Sequence, residues 1–174
     1  MTEYVWLFPI IFIFHDMEEI IGIGLWLKKN KDLLQQRYPR VLALYKDFST
    51  EGFALAVFEE LVLCILLSLM MKVTGNLVVA YIWLGAFIGC AIHFVIHIAQ
   101  VIIMKMYIPT VITSIICLPI SVWIIYQCLI TISGSLIVPA ICILTGMAAV
   151  AINLRFAQTL IGWFTRKHGI KFDI

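Results

Sequence analysis

Hydrophobic residues fall into five long runs along the chain, and polar residues cluster in the segments between them. At a rise of about 1.5 Å per residue, about 20 residues of helix cross the roughly 30 Å hydrocarbon core of a bilayer. Each run reaches that length. The pattern therefore predicts an all-α, polytopic membrane helical bundle with about five transmembrane helices. The runs cover residues 4–27, 52–71, 77–104, 110–132 and 136–163.

The breaks between the runs predict the connections. Three of them are short and contain turn-forming residues, among them Gly75, Pro109 and Gly134. The break at residues 28–50 is longer and contains six Lys and Arg residues. Its Leu-Leu-Gln-Gln and Val-Leu-Ala-Leu stretches predict an amphipathic helix along the membrane surface. We therefore expect residues 1–174 to form one transmembrane domain with this one amphipathic loop.

Basic residues indicate the orientation, because Lys and Arg concentrate in cytoplasmic loops. With the 28–50 loop in the cytoplasm, eleven of the twelve basic residues lie on that side, and Lys72 alone lies outside. This count includes Lys171 near the C-terminus. It predicts that the N-terminus is outside and the C-terminus is cytoplasmic.

Composition supports a membrane protein and excludes other classes. The chain is 63% hydrophobic and only 13% charged, which is not typical of a soluble domain. The net charge of +2 and the scattered basic residues provide no surface for nucleic acid, so membrane lipids are the expected surroundings. The five cysteines stand singly in apolar runs without a CxxC spacing, and we interpret them as buried small hydrophobic residues.

Acidic residues and histidines interrupt three of the apolar runs, where an unpaired ionisable group is costly. His15, Glu18 and Glu19 stand at positions i, i+3 and i+4, so they share one helical face. His93 and His97 form a second pair at i and i+4. Counted from the ends of their runs, all these groups lie near the middle of the bilayer. The polar residues at this depth are His15, Asp16, Glu18, Glu19, Glu59, Glu60, His93, His97 and, in the fifth run, Asn153.

Small residues predict a close helix contact beside the histidine pair. Gly85 and Gly89 stand four residues apart, on the face that continues through His93 and His97 to Gln100. Such a small-xxx-small pattern lets another helix approach closely. The histidine face is therefore expected to pack against protein.

Imidazole nitrogens and carboxylate oxygens together favour a divalent metal such as zinc, iron or manganese. The three histidines and the four glutamates provide seven donors. That number suffices for one ion or for a dinuclear centre. Glu59 and Glu60 are 100° apart on a helix, so only one is expected to bind directly, and the sequence does not select between them. Asp16 either orients a ligand histidine or contacts water. The predicted metal ligands are His15, Glu18, Glu19, Glu59, Glu60, His93, His97 and Asn153, with Glu18 and Glu60 as catalytic groups.

The sequence His-Asp-Met-Glu-Glu at 15–19 resembles the signature of the HXXEE family of bacterial integral membrane proteins, whose function is not established. Phe-Glu-Glu at 58–60 and His-Phe-Val-Ile-His at 93–97 strengthen the resemblance. It implies a small multi-pass protein of the bacterial inner membrane with a metal site, in which His15, Glu18 and Glu19 are the motif positions. It implies no reaction or substrate.

Two functions use such ligands differently. A catalytic centre keeps a coordination position open and has a carboxylate nearby as general base, whereas a transporter needs a pathway on both sides. Five spans without an internal repeat favour a membrane-embedded metalloenzyme, a hydrolase or a di-iron oxidoreductase, acting on a lipid or hydrophobic small molecule. The alternatives are a divalent-metal or proton transporter without catalysis, and core polar groups that bind no metal. The oligomeric state does not follow from the sequence.

Overall fold

The computed structural model describes residues 1–170, so Lys171, one of the basic residues that predict the orientation, lies outside the described residues. Within this range the chain forms six α-helices and no strand, which confirms the all-α prediction. The helices are α1 (Leu7–Arg37), α2 (Pro39–Leu44), α3 (Thr50–Thr74), α4 (Leu77–Met104), α5 (Val111–Leu129) and α6 (Ile137–Lys167).

Local sequence explains where α3 and α4 begin and end. The Ser49 hydroxyl accepts a hydrogen bond from the Gly52 amide at 3.1 Å and caps the start of α3. Gly75 ends α3 in the left-handed conformation, at φ 58°, which glycine adopts without strain. The Asn76 side chain then accepts from the Val78 amide at 2.8 Å and starts α4. The predicted tight connection at residues 74–76 is therefore present.

Four helices, α3 to α6, are long and apolar enough to cross a membrane. Large apolar side chains remain exposed along all four of them, as expected for surfaces that face lipid. A multi-pass membrane protein follows from these four helices. The orientation of the termini stays a prediction.

Helix α1 was predicted as a fifth span and is not among these four, because Asp16, Glu18 and Glu19 interrupt its apolar part. Asp16 and Glu19 are nevertheless buried in the protein. The opposite face of α1 is apolar and exposed over four turns, with Leu25 at 69% exposure near its end. That exposed face consists of Ile10, Phe14, Met17, Ile21 and Leu25. The acids thus point inward, and a crossing by α1 stays a prediction that its outer face supports.

The segment 28–50 is mostly helical, and its helices differ from the prediction. Residues 28–37 continue α1 without a break, and only Pro39–Leu44 form a separate short helix. Leu34 and Phe48 pack with Trp26 and Ile108 in a small apolar core. The Leu-Leu-Gln-Gln stretch therefore belongs to α1. The expected cytoplasmic location of the segment is unchanged as a prediction.

The closest helix contact joins α4 to α6, as the glycine pattern predicted. A Cβ atom added at Gly85 would collide with the backbone of Ile143, and one added at Gly146 would collide with the backbone of Ile82. Gly89 lies one turn further along α4, against Val150. The two helices are therefore held together just before His93.

A second close contact places α1 against the loop between α4 and α5. A Cβ atom at Gly22 would overlap Pro109, so only glycine permits this approach. The Trp26 indole donates a hydrogen bond to the Tyr107 carbonyl oxygen at 2.6 Å. These contacts bring the motif residues of α1 to the beginning of α5.

Candidate metal centre

Four side chains from two helices converge at one point between α1 and α4, where those of α1 are buried and His93 is half-buried. His15, Glu19, His93 and His97 each offer one ligand atom, and these atoms lie within 4.8 Å of one another. The Nε2 atom of His97 is 2.7 Å from Nε2 of His93 and 3.0 Å from Oε1 of Glu19. The Nε2 atom of His15 is 3.8 Å from the same Glu19 oxygen.

Hydrogen bonding fixes the proton of His15 on the side away from this cluster. The Thr113 hydroxyl has one proton, and its short 2.6 Å bond donates that proton to Oε2 of Glu18. Thr113 must then accept the 3.0 Å hydrogen bond from Nδ1 of His15. In the neutral imidazole Nε2 of His15 is consequently the unprotonated nitrogen, and it is buried without a hydrogen-bond partner. An imidazole held this way presents a lone pair, as metal-binding histidines do.

The same reasoning applies to His97. Its Nδ1 lies 3.3 Å from Oε1 of Gln100, an acceptor, so Nδ1 carries the proton and Nε2 carries a lone pair. That lone pair faces the Glu19 carboxylate oxygen, which is also an acceptor. With a single proton on His97, none lies between His97 and Glu19, whereas an imidazolium would form an ion pair with Glu19 there. A cation at the centre satisfies all four groups at once, so the residues present fit a metal.

The two glutamates of the motif have different partners. Glu19 faces the histidines, whereas Glu18 lies one helical position away and contacts the start of α5. Oε2 of Glu18 accepts from the Thr113 amide at 2.8 Å, and Oε1 accepts from the Tyr107 hydroxyl at 3.2 Å. A carboxylate at a helix N-terminus satisfies an otherwise free amide and is favoured by the helix dipole. Glu18 is therefore not brought into the converging group.

Glu59 and Glu60, the acids of the second run, lie beside α6 and outside the four-residue group. The Asn153 amide donates to Glu59 at 3.3 Å and to Glu60 at 3.4 Å. Only Glu60 and Asn153 of these three line the cavity described below, together with Asp16 of α1. The structure therefore does not bring Glu59, Glu60 or Asn153 into the four-residue group.

A cavity of about 730 Å³ lies between the helices, and the four converging side chains form part of its wall. Most of the lining is apolar, with aromatic and aliphatic side chains such as Phe8, Phe12 and Leu67. The polar groups of His15, Asp16, Glu19 and Glu60 occupy its middle. A volume of this size lies in the usual range for ligand sites, roughly 300–1,000 Å³.

Two tyrosines outside the apolar spans border the motif residues. Burial, together with the negative charge of Glu19, raises the pKa of Tyr45 to about 12. Burial and the charge and hydrogen bond of Glu18 also raise the pKa of Tyr107. Both hydroxyls therefore remain protonated at neutral pH, and Tyr107 stays a hydrogen-bond donor to Glu18.

The sequence did not reveal Thr113, which is hydrogen-bonded to both Glu18 and His15, or Tyr107, which donates to Glu18. Thr113 does not stand out in its apolar run, and Tyr107 does not stand out in the connection before it, because Thr and Tyr are ordinary near the ends of spans. Their sequence separation from Glu18 is about 90 residues, so no local spacing reveals the contacts. Asp16 was left between two roles, and the structure buries it in the cavity wall.

The fold and this site define a helical membrane-type protein with a buried cluster of three histidines and one glutamate. A family model described as "Protein of unknown function with HXXEE motif" matches residues 6–124. The chain therefore belongs to the HXXEE-motif family. The match includes the four converging residues, Glu18 and Thr113, and it ends before Asn153. No curated protein and no solved structure matches the chain.

Proposed function

We propose that this protein is a membrane-embedded metalloenzyme that acts on a lipid or another hydrophobic substrate. The observation that carries the proposal is that four convergent ligand groups lie in the wall of a large, mostly apolar cavity. A site that only stabilised the fold would need no such space beside it. The cavity would leave room for a water molecule and a substrate next to a bound ion.

His15, Glu19, His93 and His97 would hold the metal, for which zinc and iron are the candidates with this donor set. The bound ion would polarise a substrate or activate water or oxygen. Di-iron oxidation needs a second ion, and Asp16 and Glu60 line the same cavity and are the carboxylates available to it. With one zinc, hydrolysis is the reaction that the site supports.

Glu60 is the proposed general base. Its carboxylate lines the cavity, and the Asn153 amide donates a hydrogen bond to Oε1 at 3.4 Å. Glu60 can accept a proton at a carboxylate oxygen from water or substrate and later return it. Glu18 was also predicted to be catalytic, but it is outside the cavity lining and holds α5. We assign it the role of positioning His15 through Thr113.

Elemental analysis of protein purified in detergent without chelators tests the metal centre. We expect metal in the wild-type protein and its loss in His97→Ala. His168→Ala is the matched control, because His168 is exposed and hydrogen-bonds only to the Phe164 carbonyl oxygen at 3.0 Å. A wild-type protein with no metal above the level in the buffer contradicts the proposal, as does equal metal content in both variants.

The reaction itself is tested by incubating the metal-containing protein with lipids of its host membrane and analysing the products by mass spectrometry. We expect product with the wild-type protein and none with Glu60→Gln, which should retain the ion held by His15, Glu19, His93 and His97. The transporter alternative predicts a different result, namely flux of metal or protons across sealed vesicles that His15→Ala abolishes. Such flux without any lipid product would overturn the enzyme proposal.

A further inference from the structure

The shape of the cavity and the residues at its two ends indicate which kind of molecule enters it. On α6 the lining extends from Ala149 to Arg166, a distance of about 26 Å at the helical rise. On α3 it extends from Phe53 to Leu67, about 21 Å. The cavity is therefore elongated along the helices.

One end of the cavity is apolar and is backed by buried aromatic rings. Phe8 forms part of the wall there, and its ring packs against Trp83 at 5.9 Å and Phe87 at 5.3 Å between centroids. Trp83 and Phe87 are completely buried. Cys64 and Leu67 complete this end from α3. Such a surface provides contacts for hydrocarbon and none for a polar group.

The other end is charged and open to the exterior of the protein. Lys46 and Arg166 line it and are exposed, and Asp47, between α2 and α3, lines it beside them. Arg166 contacts Asp47 at 2.8 Å, which leaves one net positive charge among the three residues. This end has the charge that attracts an anionic group.

The metal cluster lies between these ends. Glu60 is seven residues from Phe53 and seven from Leu67, so it is about 10 Å from either end of the α3 lining. On α1, Asp16 likewise lies about midway between the lining residues Phe8 and Ile23. A molecule that fills the cavity would therefore present an internal part of its chain to the reactive groups.

We propose that the cavity binds a single-chain lipid with an anionic headgroup, such as a fatty acid. The headgroup lies at Lys46 and Arg166, the chain passes the metal cluster, and the methyl end lies at Phe8. This inference rests on the proposed function for the reaction at the middle of the chain, but binding depends only on the cavity and its charged end.

Photo-crosslinking of the full-length protein in detergent tests the orientation. The probes are two fatty acids, one with a diazirine near the methyl end and one with a diazirine next to the carboxylate. We expect the first to label Phe12 and its neighbours and the second to label residues 44–48 or 158–166, and both to be displaced by unlabelled fatty acid. Labelling confined to the lipid-facing residue Leu25, or labelling in the reverse orientation, would overturn the proposal.

Two pairs of variants test the two ends separately. Ala86 lines the cavity, so Ala86→Phe narrows the apolar end. This variant should abolish labelling by the methyl-end probe. Ala148→Phe is the control, since Ala148 is exposed and outside the lining. Arg166→Gln should weaken fatty-acid binding by roughly three- to fivefold, as expected for loss of one exposed charge contact. The control Lys167→Gln removes a neighbouring charge that is outside the lining.

The corresponding long-chain alcohol serves as the neutral probe. Its affinity should be the same for the wild-type protein and Arg166→Gln, and an equal loss for both probes would overturn the assignment of an anionic headgroup. If Ala86→Phe does not fold, the comparison of Arg166→Gln with Lys167→Gln still tests the anionic headgroup. The fatty acid and the alcohol are the two probes for that comparison.

Metal analysis of the same samples separates this inference from the proposed function. If the protein contains metal but excess unlabelled fatty acid does not displace the probes, the lipid-binding inference is overturned and the proposed metal centre is not. Saturable labelling of a protein that contains no metal supports the lipid cavity and overturns the metalloenzyme.

Discussion

The hydroxyl of Thr113 supports the candidate metal centre without touching it, and its removal tests this directly. Thr113→Val has nearly the same shape but cannot accept from Nδ1 of His15 or donate to Glu18. His15 then loses the bond that keeps its proton on Nδ1 and its lone pair towards the cluster. Loss of such a supporting contact typically lowers metal affinity by about 10- to 100-fold, or roughly 1.4–2.7 kcal/mol.

The folded state should also become less stable. The variant leaves a buried imidazole donor without an acceptor, which costs about 1–3 kcal/mol. It also removes a short hydrogen bond to a carboxylate. The amide of residue 113 still donates to Glu18, so the helix cap is weakened but not lost.

The matched control is Thr113→Ser, which keeps the hydroxyl and loses only a methyl group. Metal affinity is measured by competition with a chelator of known affinity, and stability by thermal unfolding in detergent. We expect Thr113→Ser to bind metal within about twofold of the wild-type protein, well under the 1.4 kcal/mol that a tenfold change represents. Equal metal affinity of the Val and Ser variants would refute the assigned role of Thr113.

Three further predictions follow from other contacts. Glu19→Gln should eliminate metal binding. Glu18→Gln should keep the metal but lower the free energy of unfolding by about 0.5–2 kcal/mol, as for loss of a helix cap. Equal metal loss in both variants would contradict their separate roles. Gly85→Ala should destabilise the bundle by about 1–3 kcal/mol through overpacking against the backbone of α6. Gly89→Ala should destabilise it less, because the added methyl group meets the Val150 side chain. If thermal unfolding shows Gly89→Ala to be the less stable variant, the close contact between α4 and α6 at Gly85 is contradicted. In a cysteine-free background, Lys31→Cys should react with an impermeant reagent only after the membrane is opened, and labelling of intact cells would reverse the predicted orientation.

The sequence alone determined the helical class and most helix positions. The third run, 77–104, coincides with α4, because Asn76 caps the start of the helix and Lys105, in the left-handed conformation, ends it. The same pattern placed His15 with Glu19 and His93 with His97 on single helical faces, and these four residues do converge. Such features are local, since they depend on hydropathy, helical periodicity and end residues within one element.

The tertiary structure decided how the remaining polar residues divide. Glu18 and Glu19 are adjacent in sequence and share the same motif, but one caps α5 and the other faces the histidines. The deciding contacts are those of α1 with Pro109 and Thr113, which are distant in sequence. Periodicity gives the face of a helix on which a residue lies, and only the packing of the helices decides what that face meets.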